Sequence, residues 1–258
     1  PASRILAIDD LADSPMAAEL LLDQTVGISA ARYRGLVPSG CQLLLGSPFM
    51  LLRPEFSQWR QRALGRRHAH PVQRLLLSLG GTDPAGLTLP LLQQLLAHPV
   101  CQQLQFDVLL SSSAPALAAL RQFCQQQPRV QLHVDCQAIA PLLAAADLAI
   151  GAAGSSAWER CCLGLPSIQL VIAANQREIS HQLSQLGAVV SVDASHTDHN
   201  AIAEVVELLQ QLLRQHQLRL NLSQQAAALC DGHGCERVSD ALEAFSHSAD
   251  EPAHVQPS

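Results

Sequence analysis

The sequence has few basic residues and no long apolar run. Lysine and arginine together number 16 against 22 acidic residues in 258, which gives a net charge of −6 with histidine neutral. The basic side chains are mostly isolated, so the chain carries no positive field of the kind that holds a nucleic-acid backbone. Asp147 interrupts the longest apolar stretch, and no window of about 18 apolar residues remains. We therefore expect no nucleic-acid partner and no membrane span.

Several familiar enzyme signatures are also missing. Neither glycine-rich loop reads G-x-G-x-x-G, and no P-loop occurs, which argues against a nicotinamide enzyme and a P-loop NTPase. The nucleophile elbow G-x-S-x-G of the α/β-hydrolases is absent as well. We expect no cofactor.

The eight cysteines favour reduced thiols over disulfides. Cys161 and Cys162 are adjacent, and the chain is long and apolar enough to fold around an ordinary core. The best metal candidate is Cys230, His233 and Cys235 in "CDGHGC", but its spacing matches no common zinc pattern. We expect no metal, and reduced thiols predict a cytoplasmic protein.

The sequence does contain a regular alternation of apolar runs and helical patterns. Residues 72–245 alternate short strands such as "RLLLSL" with helical segments, which predicts an α/β fold with a doubly wound parallel sheet. Residues 1–57 carry similar runs and are expected to form the C-terminal part of another Rossmann-like domain, with upstream strands missing before Pro1. The arginine-rich residues 58–71 are predicted to be a linker and residues 246–258 a flexible tail.

Ligands in such sheets bind beyond the carboxyl ends of the strands, so the loops there are the candidate sites. The loop "GGTDP" offers Gly80, Gly81 and Thr82, whose N–H groups and hydroxyl suit an anion. The alternative is a tight turn in which Asp83 begins a helix.

The stretch "IGAAGSSAWERCCLGLP" is the second candidate. Gly154 permits close approach of a ligand, and Ser155 and Ser156 carry hydroxyls at the start of a helix, which suits a phosphate or diphosphate. Glu159 lies one turn further and can accept hydrogen bonds from ribose hydroxyls. The alternative is that Ser155 is a helix cap and Glu159 an ordinary exposed residue.

Several stretches together resemble the PseG family of UDP-sugar hydrolases of pseudaminic acid biosynthesis. They include "RLLLSLGGTDP", "ADLAIGAAGSSAWERCCLGLP", "NQR", "IDDLADSP" and "LCDGHGCERV". The resemblance covers about residues 4–242 and implies a GT-B-like fold of two Rossmann-like domains, of which the first is incomplete and the second binds UDP. It also implies that water attacks the anomeric carbon of UDP-2,4-diacetamido-2,4,6-trideoxy-β-L-altropyranose, which releases UDP and the free sugar.

The resemblance also implies roles at matched positions. Residues of the second loop would face the diphosphate and the ribose, and the "NQR" stretch would face the sugar, although Asn175 alternatively caps a helix. Together with the glycine loop, the predicted UDP-binding residues are Gly80, Gly81, Thr82, Gly154, Ser155, Ser156 and Glu159. The predicted sugar-binding residues are Asn175 and Gln176, which the resemblance implies, and Tyr33. Tyr33 is chosen from the polar cluster "ARYRG", which is expected to line a cleft between the domains, with a structural role as the alternative.

The sequence departs from the family at the general base, a histidine in a Gly-Gly-Gly-His turn that does not occur here. Among the histidines that fail to match it are His68, His70, His98, His133, His181, His196, His199, His216 and His233. We identify no catalytic residue, expect the base upstream of residue 1, and expect this chain to bind UDP but to hydrolyse poorly. Two alternatives stay open: a GT-B transferase that hands the sugar to an acceptor, and a UDP-binding fragment without turnover. No obligate protein partner is evident.

Overall fold

The structure is a computed structural model that describes residues 5–68, 71–195 and 199–247. The chain divides into two compact units. Of the described residues, 5–54 and 232–247 belong to the three-stranded unit, and the six-stranded unit lies within Glu55–Asp231. The three-stranded unit is therefore assembled from both ends of the described chain.

The three-stranded unit is a parallel sheet with a C-terminal helix. Its elements are β1 (Leu6–Ile8), β2 (Leu20–Asp23), β3 (Gln42–Leu45) and α9 (Gly234–His247), and the strand order is β1-β2-β3. Val238 of α9 packs with Leu20, Leu22 and Leu44 in a small core. A Cβ at Gly234 would come within 2.1 Å of the Met50 carbonyl oxygen, so this part of "CDGHGC" provides close backbone packing.

The six-stranded unit is a doubly wound parallel sheet. Its strands are β4 (Arg74–Ser78), β5 (Gln105–Leu110), β6 (Val130–Val134), β7 (Leu148–Ala152), β8 (Ser167–Val171) and β9 (Val190–Asp193). They lie in the order β6-β5-β4-β7-β8-β9, with Leu76 of β4 paired to Asp107 on one side and to Ala149 on the other. The order reverses between β4 and β7, which is where such sheets bind ligands.

Helices cover this sheet. They are α1 (Glu55–Arg66), α2 (Thr88–Ala97), α3 (Leu117–Gln125), α4 (Ile139–Ala145), α5 (Ser156–Cys162), α6 (Arg177–Gln185), α7 (His199–Arg214) and α8 (His216–Leu229). The central strands are runs of buried apolar residues because both faces are covered, and they form one core with leucines from α2 and α7. None of the helices in the described ranges combines the length and hydropathy that a bilayer crossing requires.

Most of α1 lies in the arginine-rich segment predicted as a linker, and this helix belongs to the six-stranded unit. Arg60 donates to the carbonyl oxygens of Cys162, Ala227 and Cys230, at the ends of α5 and α8. The last carbonyls of a helix lack partners within the helix, and cations bind there favourably. The structure thus differs from the predicted boundaries, because charges that resemble a solvated linker instead satisfy helix ends.

The C-terminal boundary differs in the same way. Residues 232–247 group with the three-stranded unit, although the sequence analysis predicts one domain over residues 72–245. The helix α9 continues to His247, inside the predicted tail. The rest of that tail lies outside the described residues.

Candidate functional site

A cavity of about 420 Å³ lies at the carboxyl ends of β4 and β7, within the six-stranded unit. We call it the switch-point cavity because the strand order reverses there. Its volume falls within the range of small-molecule sites, and its lining combines apolar side chains with a few polar groups. The predicted site residues that line it are Gly80, Gly81, Gly154, Ser155, Ser156, Glu159 and Gln176.

The loop after β4 forms one wall of the cavity. Gly80 has φ +92°, a left-handed conformation that favours glycine. Thr82 is exposed and does not line the cavity. The buried carboxylate of Asp83 accepts hydrogen bonds from the N–H groups of Leu87 at 3.1 Å and Thr88 at 2.9 Å. The two interpretations of this loop are thus compatible, because Asp83 supports the start of α2 while the glycines face the cavity.

The loop between β7 and α5 forms the opposite wall. Ser155 occupies the cap position of α5, but its side chain makes no capping hydrogen bond. It is exposed, and Ser156 and Glu159 are half-buried. Ser155 is thus the cap residue of α5 by position, but its hydroxyl does not cap the helix, and Ser155 lines the cavity.

Arg160 is a cavity residue that the sequence analysis missed. Its guanidinium donates from Nη2 to the Ala152 carbonyl oxygen at 2.8 Å and from Nη1 to Ser156 Oγ at 3.1 Å. Burial lowers the pKa of the Arg160 guanidinium, and nearby Cys161 and Glu159 oppose that effect. A Cβ at Gly151 would lie 2.5 Å from Nη1, so the glycine provides the space for this side chain. The spacing of four residues from Ser156 is the signal that was available in the sequence.

The loops after β5 and β6 supply further residues that the sequence analysis did not select. Ser111, Asp135 and Cys136 line the cavity. Asp135 Oδ1 accepts a hydrogen bond from the Ser112 N–H at 2.9 Å. Hydrogen bonds from the Ser112 side chain and backbone hold the pKa of the exposed Asp135 carboxyl below its ordinary value. In the sequence, Ser111 and Asp135 are indicated only as polar residues that directly follow a strand.

The three residues predicted to bind the sugar lie in different surroundings. Gln176 lines the cavity, and its Oε1 accepts a hydrogen bond from the Ile172 N–H at 3.0 Å. Asn175 is exposed in the turn before α6, whose cap position is Gln176.

Tyr33 belongs to the three-stranded unit, where it is buried. Its hydroxyl lies 2.8 Å from Asp23 Oδ2 and 2.9 Å from Asp9 Oδ2. Burial and these two carboxylates raise the pKa of Tyr33. Of the three predicted sugar-binding residues, Gln176 lines the cavity, and Asn175 and Tyr33 do not.

The cysteine and histidine groups show ordinary contacts. His233 Nδ1 lies 2.8 Å from Glu236 Oε2, and Cys235 donates to the Leu52 carbonyl oxygen at 3.1 Å. In the ranges that the structure describes, no group of three potential ligands is arranged to hold a metal ion. His70 and His196 lie outside those ranges.

Two curated relatives match most of the chain. The spore coat polysaccharide biosynthesis protein SpsG of Bacillus subtilis is 24% identical over 214 residues, which cover 82% of this chain and 61% of that protein. The UDP-2,4-diacetamido-2,4,6-trideoxy-β-L-altropyranose hydrolase of Campylobacter jejuni is 26% identical over 184 residues, which cover 71% and 63%. The predicted resemblance to the PseG family is thereby confirmed at the family level, and the chain spans about six-tenths of the length of these relatives.

Solved structures confirm the predicted fold class. A UDP-N-acetylglucosamine 2-epimerase matches 93% of this chain and 61% of its own, with a TM-score of 0.60 and 14% identity. The structural neighbours are GT-B glycosyltransferases and epimerases. No protein-family model matches the chain. Because proteins with different reactions share this fold, the fold alone does not determine the activity.

Proposed function

We propose that the six-stranded unit binds the UDP portion of a nucleotide sugar in the switch-point cavity. We further propose that the protein hydrolyses UDP-2,4-diacetamido-2,4,6-trideoxy-β-L-altropyranose to UDP and the free sugar. The observation that carries the binding proposal is the convergence of two separate loops, after β4 and after β7, on one cavity. The relative from Campylobacter jejuni supports the choice of reaction and substrate.

The lining suits the successive parts of UDP. The glycine loop at Gly80 and the hydroxyls of Ser155 and Ser156 would face the diphosphate, and the Glu159 carboxylate would accept from the ribose hydroxyls. Hydrogen-bond donors fixed in place stabilise the charge that grows on a leaving diphosphate without reorganising. The proposal therefore assigns leaving-group stabilisation to this part of the protein.

The sugar contacts are a further part of the proposal. Gln176 Oε1 is engaged by the Ile172 N–H, which orients the amide in the cavity. Its Nε2 would donate to an acetamido or hydroxyl oxygen. We also propose Thr82 as a contact of UDP, and Asn175 and Tyr33 as contacts of the sugar.

Transfer of the sugar to an acceptor is the second candidate. It is favoured by the fold, which the chain shares with glycosyltransferases. Both reactions replace the bond from the anomeric carbon to UDP by a bond to an attacking oxygen, and they differ in whether water or an acceptor hydroxyl supplies that oxygen. The cavity residues described above serve either reaction.

An assay of UDP release separates the candidates. The chain is incubated with the UDP-sugar in buffer alone and with a mixture of sugar acceptors, and binding of UDP is measured in parallel by calorimetry. UDP release in buffer alone supports the hydrolase, and release only with an acceptor contradicts it in favour of transfer. UDP binding without release identifies a binding unit, and failure to bind UDP contradicts the whole proposal.

A further inference from the structure

A buried cation lies beneath the switch-point cavity. Arg160 is 2% exposed, and it is the one positively charged side chain among the described residues that line the cavity. In the part of the chain that the structure describes, no carboxylate lies within ion-pair distance of its guanidinium, and Glu159 acts on it at longer range. Burying a charge is costly unless other groups compensate it. The fold therefore retains a buried positive charge next to a ligand-sized space.

A second buried arginine in the same unit shows what a purely structural role looks like. Arg67 donates from Nε to Leu163 and from Nη2 to Leu143, both at 3.1 Å, and from Nη1 to Ala146, so each nitrogen has a carbonyl acceptor. It does not line the switch-point cavity. Arg160 differs, because its buried Nε has no hydrogen-bond partner among the described residues and one of its acceptors belongs to Ser156, which lines the cavity.

The hydrogen bond between Arg160 and Ser156 determines which way the Ser156 hydroxyl donates. Ser156 Oγ accepts a hydrogen bond from Arg160 Nη1 at 3.1 Å. A hydroxyl that accepts in this way still has its own hydrogen to donate, and the neighbouring cation makes it a better donor. The Ala152 carbonyl holds the other terminal nitrogen at 2.8 Å, so the guanidinium is fixed on both sides.

We propose that Arg160 is a positioning residue of the cavity, which directs the Ser156 O–H toward an anionic ligand and makes the site select a nucleoside diphosphate over the uncharged nucleoside. This inference rests on the proposed binding of UDP. It adds Arg160 to the residues predicted to bind UDP, and it explains why the site would prefer a charged ligand. Arg160 acts through Ser156 and through its field, which a low-dielectric interior screens weakly.

The test compares UDP with uridine in variants at Arg160. Arg160→Gln removes the charge and is expected to weaken UDP binding about tenfold or more, because charge-assisted hydrogen bonds are the stronger ones. Binding of uridine is expected to stay within about twofold, since the ribose and base contacts remain. Arg160→Lys retains the charge and is expected to restore part of the preference. Arg129→Gln is the matched control, because Arg129 donates to the carbonyl oxygens of Cys101 and Leu104 and does not line the cavity.

Equal losses for UDP and uridine in Arg160→Gln would show a merely structural role and overturn the inference, and so would unchanged UDP binding. If circular dichroism shows that this variant does not fold, Ser156→Ala replaces it. That variant removes the proposed donor, and an unchanged ratio of UDP to uridine affinity then overturns the inference. If the unaltered chain binds neither ligand, the proposed function fails first and the inference fails with it.

Discussion

The two ends of the six-stranded sheet use their polar groups in opposite ways. At the amino ends of β4 and β7, Asp147 Oδ2 accepts hydrogen bonds from the N–H groups of Gln73 and Arg74, both at 2.9 Å, and Oδ1 pairs with Arg66 at 3.1 Å. At the carboxyl ends, hydroxyls, glycines and Arg160 surround a cavity. The comparison separates residues that hold the sheet together from residues that face a ligand.

The largest effect is expected at the amino end. Asp147→Ala leaves two backbone N–H groups without their acceptor, and each such loss costs about 1–3 kcal/mol. We expect the free energy of unfolding to fall by about 2–4 kcal/mol in urea denaturation, while the affinity of the folded protein for UDP stays unchanged. Asp147→Asn, which keeps one acceptor oxygen, is the control and is expected to lose less. A large loss of UDP affinity in folded Asp147→Ala would break the separation between the two ends.

The next effect is expected at Glu159, in the cavity. Glu159→Ala removes the proposed acceptor for the ribose hydroxyls and is expected to weaken UDP binding by about tenfold. The sharper measurement is the ratio of UDP to 2′-deoxy-UDP affinity, which the substitution is expected to reduce toward one. Glu159→Gln retains an acceptor and is the control. If the unaltered chain does not distinguish the two nucleotides, the ribose assignment is wrong.

The smallest effect is expected at Ser155, and it distinguishes a cap from a ligand contact. Loss of a capping serine typically costs about 1 kcal/mol. Because the Ser155 side chain makes no capping hydrogen bond, we expect Ser155→Ala to change the unfolding free energy by less than about 0.3 kcal/mol and to weaken UDP binding about threefold. Thermal melts and UDP titrations of the same sample measure both. A loss of stability near 1 kcal/mol without a change in affinity would contradict the assignment.

The parallel sheet and the positions of its loops could be predicted from the sequence. The alternation of apolar strands and helices is a local pattern, so the parallel sheet and the positions of its loops follow from it. The sequence therefore predicts that the loops at Gly80 and Gly154 lie at the same sheet edge. Seven of the ten predicted binding residues line the cavity.

What the sequence could not predict depends on contacts between distant residues. From the sequence, the arginines of α1 are expected to face solvent. The fold instead brings Arg60 to carbonyl oxygens of residues more than 100 positions away in the sequence. The pairing of α9 with the first strands joins residues from opposite ends of the described chain. The sequence did not indicate Arg160, because its role depends on its burial in the fold. A charged residue in a helical segment is normally expected to be exposed.

The most direct test of the cavity as a UDP site is hydrogen exchange of the unaltered chain with and without saturating UDP. We predict slower exchange in the segments that line the switch-point cavity, residues 78–81 and 152–160, and no change around Asp147 at the other end of the sheet. Saturating UDP that leaves both segments unchanged, or that protects only other parts of the chain, would contradict the account.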